Sequence, residues 1–400
     1  MNFVKIAKHI FNLLPLGVMA VGALITLLTI IFTQYLDDQS KILHFYQLVT
    51  IVGISQGLIF LGCENIIIRN HKIAENSFSI DIWSVFSVIF FGSIFIYFSP
   101  KIYSLFSLGP VENQTLYLFV IFLQMLLVLI FRLTNKLVHA ACISIIVKAY
   151  IFAVVVLSAF FDLQLENSSF LVVISIGLTL MIFKTTYRKI YVHHVPPDPK
   201  LIGTIFAFIF STGLASVASY NERLLASLSE SSILFSEIVL LSGLFLGPVN
   251  LISSFIMMRF IARYKKHFCP TIMLRHMLLG ITITGLFLTL WIFIFEKYAF
   301  LIDLSSFDLT SQAWVCLIGI AAAKIAYAYL SCYQTIYVKE KLMFKFVALS
   351  IISLVAIYLV NIKITQSIYT ILISILCFLT LRVLFIIHNG NNQKWRSHAY

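Results

Sequence analysis

The chain has 400 residues, 60% of them hydrophobic and 11% charged, with a mean hydropathy of +1.00 and a formal net charge of +12. A soluble globular protein of this length is excluded, because so few charges could not cover its surface. Sixty per cent of 400 is 240 apolar residues, enough for about twelve spans of roughly 20 residues each. In such a chain the basic surplus reads as cytoplasmic retention charge before nucleic-acid binding, so no nucleic-acid partner is expected.

Apolar windows bounded by polar turns fall at about 10–32, 45–68, 79–99, 115–132, 138–161, 168–184, 201–221, 233–258, 271–295, 312–333, 342–360 and 365–387. Lipid offers no partner to exposed backbone groups and no alternating barrel pattern runs through the chain. The windows therefore predict an all-α polytopic membrane protein with twelve transmembrane helices. The first window follows Lys5 and Lys8. It is too long for a signal-peptide core and lacks a small-residue cleavage site, so it is expected to remain as the first span.

With the N-terminus inside, 21 of the 28 Lys and Arg residues fall at inner loops and helix ends and 5 at outer ones, while Lys148 and Lys324 lie inside apolar windows. That bias places both termini in the cytoplasm. The outer loops are short, at most about 16 residues on this placement, which leaves no room for a folded extracellular domain. The longest inner connection lies at the midpoint and carries Pro196, Pro197 and Pro199. These predict an extended linker over 185–200 between an N-terminal six-helix half, 1–184, and a C-terminal half, 201–400. His193 and His194 in that linker read as solvated loop. The six scattered cysteines form no CxxC pair and read as packing residues, so neither a metal nor a disulfide is expected.

Polar residues inside spans are costly and carry the functional reading. Lys324 sits near the middle of the tenth window, and holding a charge there costs about 2.5–3.5 kcal/mol on insertion scales. Tyr327, Ser331 and Thr335 follow it at helical spacing, making one polar stripe among small alanines. Such a Lys faces a cavity or pairs with one acid. Thr212, Ser216, Ser219 and Arg223 make a second stripe on the seventh span; it either lines a cavity or joins helices.

Lys148 lies about 12 Å into its window at 1.5 Å per residue, deep enough to bind a ligand and close enough to snorkel to the inner boundary. Arg69, Arg132 and Arg259 end the second, fourth and eighth spans on the inner side, as positive-inside anchors or as a cationic rim for a phosphate group. Glu64 and Glu237 are acids that fall within apolar windows. Both lie near a helix end, which leaves interface placement, proton coupling, or a salt bridge to Lys148 or Lys324. The chain holds no GxSxG, P-loop or DxD signature, so neither an enzyme nor ATP hydrolysis is predicted.

The halves open on weakened helices, with Pro15, Gly17 and Gly22 in the first span, Gly203 and Gly213 in the seventh, and Gly243, Gly247 and Pro248 in the eighth. Two equal halves with such helices suggest a repeated transporter with a site near mid-membrane between them. The run GISQGLIFLGCENIIIR, Gly53 to Arg69, and the stretch YNERLLASLSESSILFSEIVLLSGLF, Tyr220 to Phe245, resemble the second helix and the turn after helix seven of the polysaccharide flippases. These are the O-antigen and capsule repeat-unit translocases of the multidrug/oligosaccharidyl-lipid/polysaccharide exporter superfamily. Glu222 stands where that family usually has Asp, and its usual Gly-Tyr after the loop is missing.

The resemblance implies a bacterial inner-membrane protein that carries undecaprenyl-diphosphate-linked oligosaccharide to the periplasmic leaflet by alternating access. It needs no cofactor, is driven by a proton or sodium gradient, and works beside polysaccharide polymerases. On that reading Lys324, Lys148 and Arg223 meet the diphosphate. Thr212, Ser216, Ser219, Tyr327 and Ser331 meet sugar hydroxyls, Arg69, Arg132 and Arg259 form the rim, and Glu64 and Glu237 couple the ion. An ion-coupled multidrug exporter of the same superfamily and a polytopic oligosaccharide polymerase are the rival readings.

Overall fold

A computed structural model describes residues 3–33, 35–36, 39–70, 72–74, 77–109, 111–161, 168–186, 190–193, 199–208, 223, 226–227, 232–266, 269–298, 311–337, 352, 355 and 367–392. Among these residues, nine helices are long and apolar enough to cross a membrane. Of the other three predicted spans, 342–360 lies almost wholly outside the described residues, and 201–221 begins as a helix at 199–208 and then leaves them. The window 45–68 is broken by a turn, because Leu61 and Gly62 take left-handed backbone angles (φ 49° and 84°) that an α-helix cannot hold.

The chain forms two compact units, Met1–Phe208 and Ile209–Tyr400. The first contains α1 (Phe3–Thr33), α2 (Gln39–Leu58), α3 (Glu64–Asn70), α4 (Ile82–Leu105), α5 (Gln114–Leu133), α6 (Leu137–Ser144), α7 (Ile146–Phe161), α8 (Ser168–Thr186) and α9 (Pro199–Phe208). α5 lies at its centre, touched by α2, α4, α6 and α8. Ring contacts of Phe32 with Phe152 and Phe160 align α1 with α7. Gln56 Nε2 reaches Gln124 Oε1 at 3.4 Å, and Gln124 Nε2 donates to the Ile143 carbonyl at 2.7 Å, so a buried amide links α2, α5 and α6.

Three short strands, β1 (Lys72–Ala74), β2 (Ser77–Asp81) and β3 (Ile190–His193), form a sheet in the order β1-β2-β3, antiparallel and then parallel. They are a small addition to an otherwise helical chain. Segments of three to five residues are too short for a period-two pattern to be read. The third window was also expected to begin at 79. The helix instead starts at Ile82, after Asp81, whose side chain accepts from the Trp83 N–H at 3.3 Å as an N-cap. Pro199, read as a helix breaker, is the first residue of α9, where a missing N–H costs nothing. His194 lies outside the described residues.

The second unit contains α10 (Ser232–Leu241), a π-turn (Ser242–Leu246), α11 (Gly247–Lys266), α12 (Pro270–Tyr298), α13 (Ser311–Tyr337) and α14 (Ile368–Asn392). α10, the π-turn and α11 are continuous. Pro248 explains the π-turn, since its ring excludes the carbonyl four residues back and the ladder widens, with the Gly247 N–H bonding to the Ser242 carbonyl.

α13 is the most buried span, with 72% of its apolar window covered, whereas α12 covers 17% and shows Leu286, Leu290 and Phe293 to the outside, as a lipid-facing helix does. Paired contacts give the directions. Phe245 meets Trp314, Asn250 meets Lys324 and Phe260 meets Tyr329, so the π-turn and α11 run parallel to α13. Gly319 against Leu376 and Tyr327 against Arg382 make α13 parallel to α14. Phe245 with Phe295 and Phe260 with His276 set α12 antiparallel to them.

Candidate functional site

Lys324 is the central residue of α13, with thirteen positions on each side between Ser311 and Tyr337. It is 5% exposed, and its Nζ donates to Asn250 Oδ1 of α11 at 3.2 Å. The predicted stripe is present, with Ser331 and Thr335 buried below it and Tyr327 half-buried. Ser331 is spent within its own helix, donating to the Ala328 carbonyl at 2.9 Å.

A second buried cation joins this core, and the sequence reading misplaced it. Arg382 was counted among inner-boundary charges, yet it is 5% exposed on α14. Its guanidinium donates to Tyr327 Oη at 3.0 Å and lies over the Tyr327 and Phe378 rings at 4.6 and 5.7 Å. The signal available in sequence was its place inside the twelfth apolar window. Asn250, four residues past the loosened Ser242–Leu246 stretch, was overlooked for want of charge.

Arg223, a third buried cation, donates from Nε to Ser242 Oγ at 3.2 Å. Ser242 and Asn250 are eight positions apart, about 12 Å at 1.5 Å per residue. In an unbroken α-helix eight positions turn about 800°, roughly 80° past two turns; a π-turn absorbs about one residue and leaves roughly 20° of mismatch. The π-turn thus brings the acceptors of Arg223 and Lys324 onto one face. The partners of Arg223, Lys324 and Arg382, a hydroxyl, an amide oxygen and a phenol, succeed one another along the parallel helices, so the three cations form a column. α11, α13 and α14 contain no Asp or Glu at all.

The remaining predicted residues divide. Thr212, Ser216 and Ser219 lie outside the described residues, as does the side chain of Arg69. Arg259 is half-buried and lies 5.8 Å over the Phe255 ring. Lys148 is half-buried on α7. Glu237 is half-buried on α10, one and a half turns before Ser242. Glu64 opens α3 in the first unit and is half-buried.

Nine helices among the described residues that are long and apolar enough to cross a membrane define a multi-pass membrane protein. No family model, curated protein or solved structure matches the chain.

Proposed function

We propose that the protein is a flippase that moves an oligosaccharide linked to undecaprenyl diphosphate across the bacterial inner membrane for O-antigen or capsule assembly. The observation that carries this reading is the set of buried cations Arg223, Lys324 and Arg382, two of them on helices that contain no acid. A buried cation normally sits against a carboxylate. Each of the three donates to a neutral oxygen, which positions the cation for an anionic headgroup without neutralising it. A diphosphate supplies that charge, and in a low-dielectric core its attraction to cations far exceeds that in water.

Tyr327 and Ser331 add aromatic and hydroxyl surface beside Lys324 for the first sugars. Lys148, Arg132 and Arg259, with Arg69, serve the approach from the inner leaflet. Alternating access would carry the headgroup past the column, with the polyprenyl tail left in lipid and a proton or sodium gradient as the drive. A drug exporter of the same superfamily would trade a cationic substrate against buried carboxylates, the reverse of the charge found in α11, α13 and α14. A polymerase would want a large outer loop bearing Arg and His.

Inorganic pyrophosphate is the simplest probe. Purified full-length protein in detergent is expected to bind it in titration calorimetry, with affinity falling as salt rises. Absence of heat at any salt concentration, with a folded protein, would remove the diphosphate reading.

A further inference from the structure

Two contacts fix which side of α11 faces α13. Asn250 Oδ1 accepts from Lys324 Nζ at 3.2 Å, and the Phe260 ring lies 5.1 Å from that of Tyr329. At about 100° per residue, Phe260 stands roughly 80° round the helix from Asn250 and Ser253 roughly 60° round in the same sense. Ser253 therefore lies on the arc that faces α13, just under one turn past Asn250. Partners on the two parallel helices stand 69 to 74 positions apart in the chain, which sets Ser253 level with about 322–327. That stretch of α13 carries both Lys324 and Tyr327, and Tyr327 Oη holds the Arg382 guanidinium at 3.0 Å.

Ser253 Oγ is sealed from solvent and has no hydrogen-bond partner among the described residues. Other serines of this core are spent on their own helices: Ser254 Oγ donates to the Asn250 carbonyl at 2.9 Å and Ser331 Oγ to the Ala328 carbonyl at 2.9 Å. Ala321 and Ala328, both buried, lie on the arc of α13 between Lys324 and Tyr329, and their methyl groups offer the hydroxyl no acceptor. A buried hydroxyl in that state is costly, so its acceptor comes from outside the fold.

The chemistry of that acceptor is narrow. It takes a hydrogen bond from a hydroxyl and sits close to a lysine ammonium. A cationic ligand or a metal ion is repelled there, whereas an oxyanion gains from both groups.

We propose that Ser253 and Lys324 together bind one phosphoryl group of the diphosphate and leave the second to Arg382, an assignment that rests on the transport reading above. The Ser253 hydroxyl donates to one non-bridging oxygen of that group and Lys324 Nζ to another.

Titration calorimetry of the purified full-length protein with orthophosphate and with pyrophosphate, beside thermal unfolding without either anion, tests this. Ser253→Ala is expected to weaken both anions about tenfold or more, as loss of a hydrogen bond to a charged group does, while Ser253→Thr keeps the hydroxyl and costs about threefold or less. Arg382→Lys should weaken pyrophosphate and leave orthophosphate unchanged. Without anion, Ser253→Ala should unfold at the wild-type temperature or above, because its hydroxyl has no partner to lose. Ser254→Ala, whose hydroxyl is exposed and spent on a carbonyl, should change neither affinity.

Orthophosphate affinity that survives Ser253→Ala overturns the proposal, as does equal weakening by Ser253→Ala and Ser253→Thr. A Ser253→Ala protein that unfolds earlier than the wild type without anion, or does not fold, overturns it too, since the hydroxyl would then be engaged in the fold. Orthophosphate binding that depends on Ser253, with pyrophosphate bound no more tightly, supports the serine–lysine pair and removes the diphosphate reading. Pyrophosphate binding untouched by Ser253→Ala removes the serine and leaves that reading standing. Absence of heat from both anions, with a folded protein, removes both.

Discussion

Lys324→Met leaves the protein at least as stable as the wild type and sharply weakens its affinity for pyrophosphate. The two halves of that result have separate causes. Lys324 is buried, with its Nζ donating to a neutral amide oxygen at 3.2 Å, so the folded state bears the cost of desolvating the ammonium. Exchange of a buried charge for an apolar side chain of similar length is often neutral or stabilising by about 1–4 kcal/mol. A hydrogen bond from a charged donor contributes about 1.5–3 kcal/mol, so the lost contact to an anion should weaken binding by roughly 10- to 150-fold. Thermal unfolding and calorimetry on the same sample check both. If Lys324 were only a structural tie to Asn250, Met would lower the unfolding temperature and leave any pyrophosphate affinity intact. Arg275→Gln, at an exposed position on α12, should change neither.

Arg382→Lys is the second large effect, and it fails although the charge is retained. The guanidinium is gripped in three ways, by Tyr327 Oη and by the faces of Tyr327 and Phe378. An ammonium cannot stack on two rings while holding a fork toward a phosphate. Pyrophosphate affinity should fall by about tenfold or more, near 1.4 kcal/mol. Tyr327→Phe keeps the ring and loses one hydrogen bond worth about 1 kcal/mol, a factor of roughly 5. Because Tyr327 acts through Arg382, adding Tyr327→Phe to Arg382→Lys should cost almost nothing further, and full additivity in that cycle would show independent roles.

Much of this was legible in the sequence, for identifiable reasons. Span positions are fixed by apolar length, so nine windows lie on helices close to the expected limits. Lys324 stood out because a charge at the middle of an apolar helix has no cheap explanation. Arg382 did not, because five residues from the end of a window it is indistinguishable from a boundary anchor until the packing of α14 on α13 is seen. Asn250 and Ser242 were hidden by neutrality. Their meeting on one face depends on the π-turn, and a proline in a helix announces a distortion without saying which. The break at Leu61 and Gly62 was equally hidden, since the hydropathy of 45–68 runs through it while Leu61 gives no hint of a positive φ.

Transfer of a polyprenyl-diphosphate oligosaccharide between the leaflets of proteoliposomes measures the central claim most directly. Vesicles with the wild-type protein should equilibrate the labelled lipid across the bilayer, and vesicles with the Lys324→Met/Arg382→Leu protein should retain it in the leaflet where it was placed. Equal rates for the two proteins, or a wild-type rate no faster than that of protein-free vesicles, would contradict the account.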